Sequence, residues 1–276
     1  MARKVWMITG ASRGIGAEIA RAALSAGDSV VATARDPQAM GDLGGAGGEM
    51  MALRMDVTDE GEVSAGAAEA IGRFGRIDVL VNNAGFGVLG AIEETPAGEV
   101  ERVYRTNVFG LLNVVRAVLP SMRSRRAGHI INFSSLGGFR ASPGWGIYCS
   151  TKFAVEGISE ALHDELKPLG IRVTVVEPGY FRTDFLDPRS LVKTGSEIAD
   201  YADTAGRTRQ AALERNHRQP GDPAKLADAI VKIAAEPEPP LRLPLGSDAL
   251  ALIAAKNAFV EGETARWAVL SRSTDF

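Results

Sequence analysis

The sequence predicts an α/β fold, a doubly wound parallel sheet in a single domain, and three observations predict it. Short β-branched runs alternate with helical patterns from the first residues to about Glu177. Most of these runs are near-continuously apolar rather than alternating, as strands buried on both faces must be. A glycine-rich turn, Thr9-Gly10-Ala11-Ser12-Arg13-Gly14-Ile15-Gly16, sits between the first strand and the first helix. Strand and helix in alternation build right-handed βαβ units, which lay helices on both faces of one sheet.

In chain order, the first strand is expected at Val5–Thr9, and the helix after the glycine turn ends near Gly27. Strands follow at Ser29–Ala34, Met51–Met55 and Ile77–Val81, with Gly41–Gly48 as a loop between helix and strand. Val100–Leu119 is the clearest helix. Its residues Val100, Val103, Tyr104, Val108, Leu111, Leu112, Val115 and Leu119 recur at three- and four-residue steps, the stripe of a core-facing helix. Further strands are expected at His129–Phe133 and Arg172–Glu177, with a helix starting near Ile147 between them. Residues 178–223 are rich in charge, glycine and proline, with a weak helical patch near Ser196–Glu214. So long a connection inside a domain is usually functional, and it is read as a substrate-binding lid. Pro223–Ala235 is an amphipathic helix, Leu241–Leu245 the last strand, and Ala249–Leu270 a helix within a C-terminal extension, residues 246–276. No repeat or linker divides residues 1–276.

Composition narrows the function classes. Hydrophobic residues make up 45% of the 276, enough for a sizeable core. A net charge of −3 gives no electrostatic ground for a nucleic-acid or anionic-membrane partner. Cys149 is the one cysteine, so no internal disulfide forms and a reducing compartment fits. The apolar run after Met1-Ala2-Arg3-Lys4 is about six residues, short of a signal peptide's roughly 7–15. No window reaches the ~20 apolar residues of a membrane span. The expectation is a soluble cytoplasmic protein that acts on a small molecule.

The glycine turn has the chemistry of a dinucleotide site. Its glycines permit a tight turn and close approach of backbone to a pyrophosphate, and the following helix N-terminus offers free N–H groups. Tyr148 and Lys152, four residues apart, fall on one helix face. A tyrosine is too weak an acid/base near neutrality unless a cation lies beside it, and the lysine supplies one. Ser135, after the fifth strand, can donate to a substrate oxygen; Ser134 is its rival, and periodicity cannot choose between neighbours. A Tyr-x-x-x-Lys pair alone would more often be a surface pair.

The spacing Gly-x-x-x-Gly-x-Gly, followed in order by Asp56-Val57-Thr58, Asn82-Asn83-Ala84-Gly85, Asn107, Ser135, Tyr148-Cys149-Ser150-Thr151-Lys152 and Pro178-Gly179, resembles the short-chain dehydrogenase/reductase family over about residues 4–245. The resemblance implies a Rossmann-type sheet of strand order 3-2-1-4-5-6-7. It implies catalytic roles for Asn107, Ser135, Tyr148 and Lys152, and its thirteen-residue serine-to-tyrosine separation selects Ser135. Asn107 would hold a water linking Lys152 to solvent. Gly10, Ser12, Arg13, Gly14, Ile15 and Gly16 would cradle the diphosphate, Asp56 and Val57 the adenine, and Asn83, Ala84 and Gly85 the ribose side. Pro178, Gly179 and Thr183 would hold the nicotinamide carboxamide and diphosphate, with Tyr148 and Lys152 at the nicotinamide ribose.

Cofactor choice rests on the end of the second strand. An acid there selects NAD(H) through the ribose 2′-OH, whereas a cation suits the 2′-phosphate of NADP(H). By the family pattern Ala34 holds the acid's position and Arg35 follows it, with Arg13 as a second cation; NADP(H) is expected over NAD(H). The alternative makes both arginines solvated surface charges, and the adjacent Asp36 tells against the cation reading. For substrate, the lid begins with Tyr180, Phe181 and Phe185, and Phe86, Phe139 and Trp145 are expected to form the opposite wall beside Ser135 and Tyr148, so a mainly hydrophobic ketone, aldehyde or alcohol is expected. His129 is read as structural. His163 and His217 lack metal-ligand partners at useful spacing, and no metal is expected. A homodimer or homotetramer through the helices within Val100–Arg125 and Tyr148–Leu169 is implied by resemblance alone. The competing functions are a non-catalytic NADP(H)-binding regulator and, further off, a sugar-nucleotide epimerase.

Overall fold

Apolar runs become strands here because each has two faces to bury. Trp6 and Ile8 of the first strand pack with Ile19, Leu24, Leu226 and Ile230 on one side of the sheet. Met7 between them packs on the other side with Leu80, Val114, Val118 and Val155. The computed structural model describes residues 3–41, 43 and 47–276, so part of the expected Gly41–Gly48 loop lies outside the described residues.

The strands are β1 (Val5–Thr9), β2 (Ser29–Ala34), β3 (Met50–Arg54), β4 (Val79–Asn82), β5 (Gly87–Leu89), β6 (Gly128–Phe133), β7 (Ile171–Pro178), β8 (Leu191–Lys193) and β9 (Arg242–Leu245). The helices are α1 (Gly14–Ser25), α2 (Glu60–Phe74), α3 (Ala97–Tyr104), α4 (Leu111–Arg125), α5 (Gly146–Leu166), α6 (Arg207–Arg215), α7 (Pro223–Ala235) and α8 (Ser247–Arg272). Seven strands form one parallel sheet in the order β3-β2-β1-β4-β6-β7-β9, which is the expected 3-2-1-4-5-6-7 with β5 and β8 set aside. Helices α1 and α7 cover one face; α2, α4 and α5 cover the other. The fold is thus a Rossmann-type α/β domain with a C-terminal helix.

Three differences from expectation matter. The long helix expected at Val100–Leu119 is broken into α3 and α4 by a π-helical stretch, Arg105–Gly110. Its extra residue per turn swings Asn107 toward Phe86, and such bulges recur at functional sites. Strands β5 and β8, unforeseen, pair in parallel with Gly87 opposite Leu191, so the lid's descending arm is stitched to the chain after β4. In the lid, the helical patch expected near Ser196–Glu214 is a short turn at Ala199–Tyr201, a π stretch at Ala202–Gly206, and α6.

No described helix is long and apolar enough to cross a membrane. Helix α8 leaves the sheet after Gly246, and of its residues only Ala249 is buried.

Candidate active site

The carboxyl ends of β1, β4, β6 and β7 converge at one sheet edge, where the strand order reverses between β1 and β4 and ligands of open α/β sheets bind. The glycine turn begins there. Gly14 has φ +56°, a conformation that side chains resist. A Cβ on Gly16 would lie 2.5 Å from the Gly10 carbonyl oxygen, so helix α1 can start this close to the strand only with glycine. Thr9 Oγ1 accepts the backbone N–H groups of Asn83 and Ala84, both at 3.0 Å. The Asn83 amide donates to the Thr9 and Gly10 carbonyls at 3.0 and 3.2 Å. Asn83 therefore braces the turn with its side-chain amide.

That cavity, about 580 Å³, runs along the sheet edge. Every residue expected in the site lines it except Gly16, which lies beneath the turn, Asn107, which lies behind Phe86, and Phe139. The Asn107 amide is fully engaged: Oδ1 accepts from the Phe86 N–H at 3.1 Å, while Nδ2 donates to the Phe86 carbonyl at 3.0 Å and to Thr151 Oγ1 at 3.1 Å. Any water held for Lys152 would have to use the Asn107 backbone.

Beyond the glycine turn, Arg35 and Arg13 both line the wall. Asp36 turns its carboxylate onto its own backbone, accepting from the Gln38 N–H at 3.0 Å. Asp56 does likewise toward the Thr58 N–H and hydroxyl.

Tyr148 and Lys152 face the same space from the first two turns of α5, and both are buried. Lys152 Nζ donates to the Phe133 carbonyl at 2.8 Å and lies 5.8 Å from the centre of the Tyr148 ring. Burial pushes the Lys152 ammonium down to about 8, with Glu156 pulling partly back. Burial likewise pushes the Tyr148 phenol above its ordinary value, while the Ser135 hydroxyl draws it down. Ser135 Oγ accepts from the Gly137 N–H at 3.1 Å, which leaves its own proton to donate. Ser134 is buried and its hydroxyl is directed at the Lys152 carbonyl; it is absent from neither wall nor core, but its proton is turned away from Tyr148. Cys149 packs inward, its thiol pushed up to about 11 by burial.

Aromatic rings close over the tyrosine. Phe185 lies 5.5 Å from Tyr148 and 6.5 Å from Trp145, and Trp145 lies 5.7 Å from Tyr148, centre to centre. A side chain at Gly87 would press within 3.3 Å of Leu191, Phe185 and Trp145, so glycine lets the lid settle. Phe86 joins the wall under the Arg102 guanidinium, and Tyr180 joins it under Arg215. Phe139 does not: it lies under Arg242, outside the cavity, because its turn after β6 points it toward β9.

The lid is fastened by contacts that sequence gave no sign of. Glu94 and Arg209 form a buried ion pair, and Glu94 also accepts from the Ala91 and Ile198 N–H groups. Asp248, at the start of α8, accepts from the Tyr180 N–H at 2.8 Å and so holds the chain just past Pro178-Gly179. Arg189, Ser190 and Gln219 also line the cavity. They sit in the lid, where composition carries no periodic signal.

His129 is structural as expected, bonded to Thr174 and held down to about 3 by burial. His217 has company that spacing concealed: its ring and the carboxylates of Asp184 and Asp187 converge within 4.8 Å. Asp187 is already engaged there by His217 and Asn216, so these contacts account for the cluster.

A family model described as short chain dehydrogenase matches residues 4–192. The chain is 38% identical over 270 residues to "Oxidoreductase BOA17" of Botryotinia fuckeliana, spanning 97% of this chain and 98% of that protein. It is 38% identical over 269 residues to a 3-ketodihydrosphingosine reductase of Bacteroides thetaiotaomicron, spanning 98% and 97%. A short-chain dehydrogenase from Streptomyces avermitilis, of known crystal structure, superposes with TM-score 0.92 at 42% identity over 100% of both chains. Solved relatives hold either cofactor: one from Burkholderia phymatum is in complex with NAD (27% identity, TM-score 0.83, 95% of each chain), and a metagenomic one is in complex with NADP (28%, TM-score 0.69, 88% of this chain and 96% of that).

Proposed function

The chain belongs to the short-chain dehydrogenase/reductase family of oxidoreductases, and from that premise we propose that it is an NADP(H)-dependent enzyme interconverting a ketone or aldehyde and an alcohol on a mainly hydrophobic small molecule. The observation that carries this is one cavity shared by the glycine turn, Arg35, Ser135, Tyr148, Lys152 and the aromatic rings of the lid. The turn suits a dinucleotide because Gly16 leaves room where a Cβ would collide. Gly10 to Ile15 and Thr183 would hold the diphosphate, Arg13 and Arg35 the 2′-phosphate, and Asp56 and Val57 the adenine. When bound, the dinucleotide supplies or accepts the hydride.

The protein's part is proton and position. Ser135 donates its free proton to the substrate oxygen and polarises the carbonyl. Tyr148 delivers a proton to that oxygen in reduction and withdraws one in oxidation. Lys152, fixed by the Phe133 carbonyl, keeps a positive charge near the phenol and offers a donor to the ribose. Asn107 holds the α5 surface against the chain after β4, and its backbone would carry the water that resupplies Lys152. Trp145, Tyr180 and Phe185 exclude water and select apolar ligands.

Exposed Phe109, in the π stretch, and Phe153, on α5, lie on the two long helical segments and favour a homodimer or homotetramer. A sole, unpaired cysteine favours the cytoplasm. The direct test is a panel of ketones and aldehydes with NADPH and NADH, followed at the nicotinamide absorbance. Absence of cofactor oxidation with every carbonyl, despite tight NADPH binding, would favour a nucleotide-binding regulator instead.

A further inference from the structure

Six arginines and Lys152 line the cavity, against only two carboxylates, Asp56 and Asp184, in a chain whose net charge is −3. A cleft lined by one sign of charge focuses the field and gathers anions. Three of the arginines come from separate segments at one end: Arg13 from the glycine turn, Arg35 from just past β2, and Arg189 from the lid. The lid is laid directly on the turn. Arg13 donates to the Arg189 carbonyl at 2.9 Å and to Ser190 Oγ at 2.9 and 3.2 Å.

Among the described residues, none of these three guanidiniums pairs with a carboxylate, although most other arginines near acids do. Burial, then Arg189, then Arg35 hold Arg13 below its ordinary value, and Asp184 and Asp187 offset this only in part. Guanidiniums gathered without a counter-charge repel one another, and a bound phosphate relieves all of them through charge-assisted hydrogen bonds.

We infer that Arg189 is a third guanidinium of the 2′-phosphate site, carried by the lid, so that the lid closes on the phosphate that distinguishes NADP(H) from NAD(H). This rests on the cofactor reading above and extends it. Arg13 and Arg35 belong to the sheet edge, and Arg13 is tied to the lid through the Arg189 carbonyl and Ser190 Oγ. Arg189 travels with the segment that bears Phe185 and Leu186 at the substrate side. Binding the 2′-phosphate would therefore help order the substrate wall, a coupling that NAD(H) cannot supply.

Arg189→Gln is the test. The side chain is exposed, and Arg13 uses only the Arg189 backbone, so the fold is not at risk. Calorimetric titration with NADP⁺, NAD⁺ and adenosine 2′,5′-bisphosphate should show about tenfold weaker binding of both 2′-phosphorylated ligands, ~1.4 kcal/mol. NAD⁺ affinity should change less than about twofold, and Arg189→Lys should recover part of the loss. In hydrogen exchange, NADP⁺ should slow the amides of residues 184–190 more than NAD⁺ does in the wild type, and equally in Arg189→Gln. Equal weakening of NAD⁺ and NADP⁺ would put Arg189 on the shared diphosphate and overturn the inference, as would no weakening at all. A wild type that binds NAD⁺ as tightly as NADP⁺ would instead sink the cofactor reading, and this inference with it.

Discussion

The Lys152 ammonium lies 5.8 Å from the centre of the Tyr148 ring, one helical turn away, with both side chains buried. Burial raises the tyrosine and lowers the lysine to about 8, disfavouring the charged form of each. Tyr148→Phe should remove nearly all turnover while dinucleotide binding survives, since the role proposed for Tyr148 is proton donation by its hydroxyl and none is proposed for the ring. Retention of a tenth of the wild-type kcat at neutral pH would eliminate Tyr148 as the acid. Lys152→Ala should lower both kcat and cofactor affinity. Loss of the cation disfavours the tyrosinate, so the rising limb of the oxidation pH profile should move to higher pH in that variant.

The sheet and the shared face of Tyr148 and Lys152 were legible in the sequence because both follow local rules. Apolar runs mark doubly buried strands, and a four-residue spacing on a helix puts Tyr148 and Lys152 side by side whatever surrounds them. What was not legible depends on partners far apart in the chain. Strands of three residues, β5 and β8, are too short to show a period and exist because Gly87 meets Leu191. The π stretch at Arg105–Gly110 keeps the apolar stripe almost intact, so periodicity reads straight through it. Phe139 had the right neighbours in sequence, yet its turn sends it to Arg242. Glu94 and Arg209 are 115 residues apart, and nothing local in either segment announces the other.

Arg35 should set cofactor preference. It lines the cavity just past β2, and the adjacent Asp36 is turned onto the Gln38 N–H. Charge-assisted hydrogen bonds contribute roughly 1.5–3 kcal/mol, so kcat/KM should favour NADPH over NADH by a factor on the order of 10². Arg35→Ala should shrink that ratio mainly by weakening NADPH. Steady-state kinetics with both cofactors decide it; an unchanged ratio would show that Arg35 is a solvated surface charge.

The Glu94–Arg209 pair should hold the lid in place. Burial alone would raise Glu94, but the Ile198 and Ala91 N–H groups and the Arg209 guanidinium outweigh it and leave the carboxyl below its ordinary value. A carboxyl depressed in the folded state stabilises above its unfolded pKa, and that stability is lost as pH falls through the folded one. Arg209→Met leaves a buried carboxylate unpaired and should cost about 3–5 kcal/mol by chemical denaturation. The loss should shrink on acidification, when Glu94 of the variant takes up a proton. A variant as stable as the wild type at neutral pH would mean the pair adds nothing to the fold.

The substrate wall should select apolar ligands through two rings in particular. Trp145 and Phe185 lie 6.5 Å apart and stacked, each within 5.7 Å of Tyr148, so a carbonyl placed for Ser135 and Tyr148 carries its substituents between them. The three rings form one apolar wall beside the Ser135 and Tyr148 hydroxyls. Full burial of one aromatic or aliphatic side-chain equivalent is worth about 1.5–3 kcal/mol, which is roughly 10- to 100-fold in KM. Trp145→Ala and Phe185→Ala should each raise KM for aromatic or steroid-like ketones by about that factor, and leave small hydrophilic ketones little changed. Neither ring touches the glycine turn, so NADPH affinity serves as the control. Kinetics with both substrate classes separate the outcomes: efficient turnover of sugars alone, or indifference of apolar-ketone KM to both truncations, would reduce these rings to anchors that tie the lid to the sheet.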